Sequence, residues 1–189
     1  MPRIWTETIE LHRRDVRAAI LEATAGLIAE QGLAGTTMLG IAERTGIGRA
    51  TLYKYFREID AVLEALHERD VASHLTELGA ARERPGTPWQ RLERVLETYA
   101  RLAHASHGSE LVARMRHSGA VASGFRQLTG LLQGLLDDAL AQGLVREDIP
   151  PPELAAFCLA AFGDAHLLPS QAALRRRVLL TLAALRPPP

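Results

Sequence analysis

Between Arg44 and Arg57 the sequence places four cations, Arg44, Arg49, Lys54 and Arg57, and no acidic residue. Guanidinium and ammonium groups presented together on short helices suit a polyanion: both neutralise phosphate, and the arginine fork also matches the paired acceptors of guanine. The chain as a whole carries 22 basic and 22 acidic residues, so this cluster is a local concentration and not a general background. Lys54 is the only lysine, which reads as compositional bias and decides nothing about function.

Other residues that could do chemistry carry less. His104 and His107 stand at i, i+3 with His117 nearby, but there is no HExxH, no Cys/His framework and no G-x-S-x-G elbow. The HASHGS stretch falls at an expected helix end, where histidines are simply solvated, so no metal site is expected. Gly46-Ile47-Gly48 lacks the third glycine and the preceding strand of a dinucleotide loop. Cys158 stands alone in LAAFCLAAF, so no intrachain disulfide can form and a buried, inert thiol is expected. No enzyme and no cofactor are therefore anticipated. The competing reading, a helical enzyme or ligand carrier around an apolar pocket, lacks a nucleophile–base pair and leaves the cationic segment without a purpose.

The elements that must position these residues are helices. Apolar residues make up 47% of the chain and charged residues 23%, which fits a packed fold and argues against disorder. The spacing is helical throughout, with no Val/Ile/Thr run of period two, so an all-α protein is expected. Val16, Ile20, Ala23 and Leu27 predict a first helix over Leu11–Gln31, stopped at Gly32. Thr36-Thr37 caps a short helix over Met38–Thr45, Gly46 breaks it, and a second follows over Arg49–Phe56. Longer helices are expected from Asp60 toward Arg84 and from Thr87-Pro88 to His107, then a short one over Glu110–Arg116, a long one over Val121–Gln142, and two more over Glu153–Leu167 and Gln171–Leu185. The N-terminus MPRIWTETIELHRR has no apolar core for a signal peptide, and no run approaches the ~18 residues of a membrane span. Cytoplasmic residence without a membrane partner is therefore expected.

In MLGIAERTGIGRATLYKYF the small and apolar residues fall where two short helices must cross closely: Ala42 at the crossing, Gly46 in the turn, Ile41, Ile47 and Leu52 in a miniature core. Arg49, Ala50, Lys54 and Tyr55 then project outward, as a recognition helix would toward a major groove. The segment TTMLGIAERTGIGRATLYKYFREIDAVL resembles the N-terminal motif of the TetR family, in which a threonine pair opens helix two and T-L-Y-x-x-F forms helix three. The resemblance covers about Val16–Leu66. It implies a three-helix DNA-binding domain (residues 1–58) and a helical C-terminal bundle (residues 59–189) for dimerisation and ligand binding. It further implies a ligand-relieved repressor acting as a homodimer on double-stranded operator DNA, although an activator would use the same fold.

By that resemblance Thr37, Thr51, Tyr53, Lys54 and Tyr55 are backbone-positioning groups, while Arg49 and Ala50 read bases. Tyr53 is equally well read as a packing aromatic. The family often has serine where Gly48 stands, so a backbone N–H must serve there; Leu39 and Ile59 replace a frequent arginine and lysine. Arg13 and Arg14 could contribute from an arm before helix one. The family's effector pocket maps to Trp89, Tyr99, Leu102, Leu111, Met115 and Phe125, which are also ordinary core types; with few polar groups among them, an apolar or amphipathic effector is favoured.

A dimer interface is also expected from the residues themselves. Gly130 and Gly134 sit inside a helix, where each costs ~1 kcal/mol relative to alanine, and close helix approach would offset that. Leu128, Leu131, Leu132 and Leu135, with the small residues Ala156 and Ala160, predict a four-helix interface between two copies. An intramolecular core is the alternative for the same leucines.

Overall fold

The computed structural model describes residues 3–105 and 119–188, and all the regular elements among them are helical. The expected helix over Glu110–Arg116 lies outside the described residues. By packing, the chain divides into two compact units, Met1–Arg69 and Asp70–Pro189.

The first unit begins with α1 (Arg3–Gly35), interrupted at Gly32, whose φ of 74° is the left-handed value that only glycine adopts without strain. The expected stripe is buried: Ile20, Ala23 and Leu27 all face inward. The helix starts well before Leu11, so Arg13 and Arg14 belong to α1 and do not form an arm ahead of it. Helices α2 (Met38–Thr45), α3 (Arg49–Tyr55) and α4 (Ile59–Glu83) come next. Ile20, Leu27, Ile41, Leu52, Phe56 and Val62 are the centre of this unit's core.

The second unit takes the remainder of α4 together with α5 (Pro88–Ala105), α6 (Gly119–Leu140), α7 (Pro151–Ala160), a 3₁₀ turn (Ala165–Leu167) and α8 (Gln171–Leu185). A reciprocal capping box starts α5: the Gln90 N–H donates to Thr87 Oγ1 at 3.2 Å, and the Thr87 N–H donates to Gln90 Oε1 at 3.0 Å. The turn before it is closed by Arg94. Its guanidinium donates to the Arg84 carbonyl at 2.7 Å, the Pro85 carbonyl at 3.3 Å and the Ala81 carbonyl at 3.5 Å, covering acceptors that the end of α4 leaves open. Gly86, at φ 153°, leaves room for it, since an added Cβ would come within 3.1 Å of Arg94 Nη1.

The helix expected over Glu153–Leu167 ends early, at Ala160. Bonds from Phe162 N–H to Leu159 and from Gly163 N–H to Ala160 tighten the chain there into a turn. The turn delivers Phe162 to the core, 1% exposed, with its ring edge-on to Tyr99 at 5.8 Å.

Candidate nucleic-acid interface

Two short helices have to be held at a fixed angle by very few residues. Thr37 stands at the N-cap of α2, its Oγ1 accepting the Gly40 N–H at 3.1 Å. The hydroxyl proton is not used in that bond and can still be donated outward. Thr36 is buried instead and donates to the Gly32 carbonyl at 3.0 Å. Gly46 ends α2 at φ 70°, and the chain turns through Ile47-Gly48 into α3. Gly48 occupies the N-cap of α3 with no side-chain cap bond. Ile41 and Leu52 are fully buried and Ala42 and Phe56 nearly so, which fixes the rotational phase of both helices.

That phase turns Arg49, Ala50, Thr51, Tyr53 and Lys54 outward; Tyr53 is 51% exposed. Tyr55, expected to project with them, is half-buried and packs against the core. Leu39 is exposed and Ile59 half-buried. The cationic face is smaller than the sequence implies. Glu30, reaching from α1, takes both terminal nitrogens of Arg44 at 2.6 and 2.7 Å, so Arg44 is neutralised and the free positive charge falls to Arg49, Lys54 and Arg57. The hydrogen bond to Arg44 holds the Glu30 carboxyl below its ordinary range. A second tie from α1 puts the Arg17 guanidinium 4.8 Å over the Phe56 ring, just past the end of α3.

In the second unit the expected pocket residues are dispersed. Tyr99 and Leu102 lie in the core, and burial pushes the Tyr99 hydroxyl up to about 12. Trp89 is half-buried under the Arg186 guanidinium at 4.5 Å. Phe125 is at the surface, 57% exposed, and so is not a core residue of this chain. Leu111 and Met115 lie outside the described residues. A groove between α5 and α8 is lined by other residues, among them Glu97, Arg101, Leu174 and Arg175.

Leu132 and Leu135, expected at an interface between copies, are fully buried in this chain's own core, where α6 packs on α5 and α7. Leu128 and Leu131 are half-buried against the same core, while Ala156 and Ala160 are exposed. A Cβ added at Gly130 or Gly134 would meet nothing within 4 Å, so close approach inside the chain is not what these glycines serve. Besides Phe125, the large apolar side chains exposed in this unit include Phe157 of α7, Leu167 of the 3₁₀ turn, and Leu179 and Leu180 of α8, the last 71% exposed.

Cys158 is buried as anticipated, its thiol pushed up to about 12 by desolvation. His104 places Nδ1 2.7 Å from the Ala165 carbonyl, while His107 and His117 lie outside the described residues. No described group of three His, Cys, Asp or Glu residues is arranged to hold a metal.

An exposed, cationic second helix of a helix-turn-helix, followed by a separate helical unit, defines the architecture of a DNA-binding transcription regulator. Residues 20–66 match the family model described as bacterial regulatory proteins, tetR family, so the first unit carries the N-terminal domain of that family. About nine-tenths of the chain shares its fold with solved transcriptional regulators. A TetR/AcrR-family transcriptional regulator from Thermobifida fusca YX-ER1 is 22% identical with a TM-score of 0.77, over 91% of this chain and 99% of that one. A structure described as the molecular basis for control of antibiotic production by bacterial hormones is 26% identical with a TM-score of 0.72, over 91% and 98%. The regulator FadR from Bacillus subtilis, solved in complex with stearoyl-CoA, is 16% identical with a TM-score of 0.73, over 89% and 99%. No curated protein matches the chain in sequence. No helix among the described residues is long and apolar enough to cross a membrane.

Proposed function

We propose that this chain is a cytoplasmic, ligand-relieved repressor that binds a pseudo-palindromic operator as a homodimer. The observation that carries the reading is the outward face of α3, where Arg49, Ala50, Thr51 and Lys54 stand exposed over a helix whose other face is locked into the core. Arg49 would read guanine O6/N7 and Ala50 a thymine methyl. Thr37, Thr51, Tyr53, Lys54 and the backbone N–H at Gly48 would hold phosphates and set the register. Tyr55, half-buried, would contribute through its hydroxyl alone.

Two copies would place their recognition helices in successive major grooves, ~34–36 Å apart. The exposed Phe157, Leu179 and Leu180, with Ala156 and Ala160, supply the apolar surface that a partner would cover. An apolar or amphipathic effector held in the second unit, near Tyr99 and Leu102, would favour dimers whose recognition helices no longer match that spacing. The stearoyl-CoA bound in the structurally similar FadR is a molecule of that amphipathic kind. The helix α4 is the element through which such a change would pass.

The test is selection of bound duplexes from a random pool by the full chain, followed by salt titration of the recovered sequence. A half-site repeat and a linear fall of log K with log salt are expected. Recovery of no sequence, or binding that ignores salt, would sink the reading. Sedimentation of a Leu179→Glu/Leu180→Glu variant checks the dimer: a loss of mass to the monomer is expected, and an unchanged dimer would move the interface elsewhere.

A further inference from the structure

Arg44 and Glu30 are both substantially exposed, with side-chain exposures of 38% and 56%, so the pair adds little to stability. Its geometry is nevertheless specific. Both terminal nitrogens of Arg44 meet both oxygens of Glu30, and a fork-to-fork contact fixes direction as well as distance. The guanidinium lies flat across α1 at Gly26. A Cβ there would fall 2.9 Å from Nη2 and 3.0 Å from Cζ, so only glycine leaves the guanidinium where it is. Gly26 and Glu30 are four residues apart and share one helical face, the first as floor and the second as partner.

Arg44 stands in the last turn of α2, two residues before the turn glycine Gly46. The next helix, α3, has only seven residues, too few to hold its own direction, and it lacks a side-chain cap at Gly48. We infer that Gly26, Glu30 and Arg44 form a positioning device for the recognition helix, which aims α3 by fixing the exit of α2 on α1. Arg44 therefore acts on DNA recognition without touching DNA, in contrast to Arg49 and Lys54. The inference rests on the DNA-binding reading above.

The two roles open to Arg44 predict opposite results, measured with the full chain on the duplex selected from the random pool and on a scrambled duplex. For a positioning residue, Arg44→Lys keeps the charge but loses the fork. Discrimination between the two duplexes should then fall by roughly tenfold, the order of one base contact, with the salt slope unchanged. Glu30→Gln and Gly26→Ala should do the same, and the exchange Glu30→Arg with Arg44→Glu should restore discrimination. A phosphate-binding Arg44 would instead tolerate lysine, gain affinity for both duplexes in Glu30→Gln, and lose about one unit of salt slope in the exchange variant. That second pattern overturns the inference, as does unchanged discrimination in Arg44→Lys and Glu30→Gln together. Helicity by circular dichroism accompanies each variant. If the exchange variant does not fold, the near-isosteric Glu30→Gln decides alone. Failure of the wild-type chain to bind either duplex is a different result, and counts against the DNA-binding reading itself.

Discussion

The two units differ in what their helices offer to water, although Ile9, Leu11 and Leu39 are exposed in the first as well. The first buries a small core and turns outward a short helix of cations, a hydroxyl and a methyl, Arg49, Lys54, Thr51 and Ala50. The second buries a larger core and leaves large apolar side chains exposed, Phe125, Phe157, Leu167, Leu179 and Leu180. An outward polar group on a rigid helix suits a partner with fixed charges and acceptors, whereas an outward leucine suits a partner that is itself apolar. The contrast teaches that core packing sets which side chains are offered, and that their chemistry then names the class of partner.

The contrast breaks most severely at the core that sets the phase of α3. Leu52 is fully buried, and Leu52→Ala should cost about 2–5 kcal/mol in urea unfolding, with loss of DNA binding. The same truncation at exposed Leu180 should change monomer stability by no more than about 0.5 kcal/mol. Comparable costs at the two leucines would erase the distinction. On the polar face, Arg49→Ala should cost ~1–3 kcal/mol on the selected duplex and flatten preference at one base pair per half-site. Lys54→Ala should weaken all sequences alike and lower the salt slope by about one unit per phosphate contact. If Arg49→Ala weakened both kinds of duplex equally, the two roles would be exchanged.

In the second unit the difference is sharpened by alkali. Burial raises Cys158 from 9.0 to about 12 and Tyr99 from 10.0 to about 12, so both stay neutral in the folded chain where an unfolded one ionises. Their contribution to stability is complete below about pH 9 and is lost as pH rises toward 12. Tyr99→Phe should flatten the alkaline fall in denaturation midpoint, and an unchanged pH profile would place the hydroxyl in water. The smallest effect belongs to Gly48→Ser. A serine there would cap α3, adding a few tenths of a kcal/mol and a phosphate donor, so the salt slope should steepen. An unaltered slope would mean that the N-terminus of α3 does not meet the DNA backbone.

Much of the helix-turn-helix is legible in sequence because its signals are local. The Thr37 cap, the Gly46 turn and the buried Ile41 and Leu52 all lie within a few residues of what they control. The last helix is equally plain, since Ser170 caps Gln171–Leu185 by accepting the Ala173 N–H. Less legible is whatever depends on a remote partner. Arg44 reads as a free cation until Glu30, fourteen residues earlier, is brought against it. The stretch after Ala160 reads as continuing helix because the need to seat Phe162 against Tyr99 is set by another element. Leu132 and Leu135 carry no mark that separates a leucine facing its own chain from one facing a second copy. Residues Arg3–Glu10 are helical, but their few apolar residues, Ile4, Trp5 and Ile9, do not continue the stripe of Val16, Ile20, Ala23 and Leu27 without a break, so periodicity misses them.

The Arg94 fork has a consequence for the order in which the second unit assembles. All three carbonyls it holds lie within thirteen residues of it, and the capping box beside it spans three. Closing so short a loop costs little chain entropy, so the hairpin of α4 and α5 can form before the distant helices dock upon it. An early-formed contact governs the speed of folding more than the lifetime of the native state. Arg94→Ala should therefore slow refolding after a denaturant jump while leaving the unfolding rate nearly as it is. The reverse pattern would show that this corner closes last.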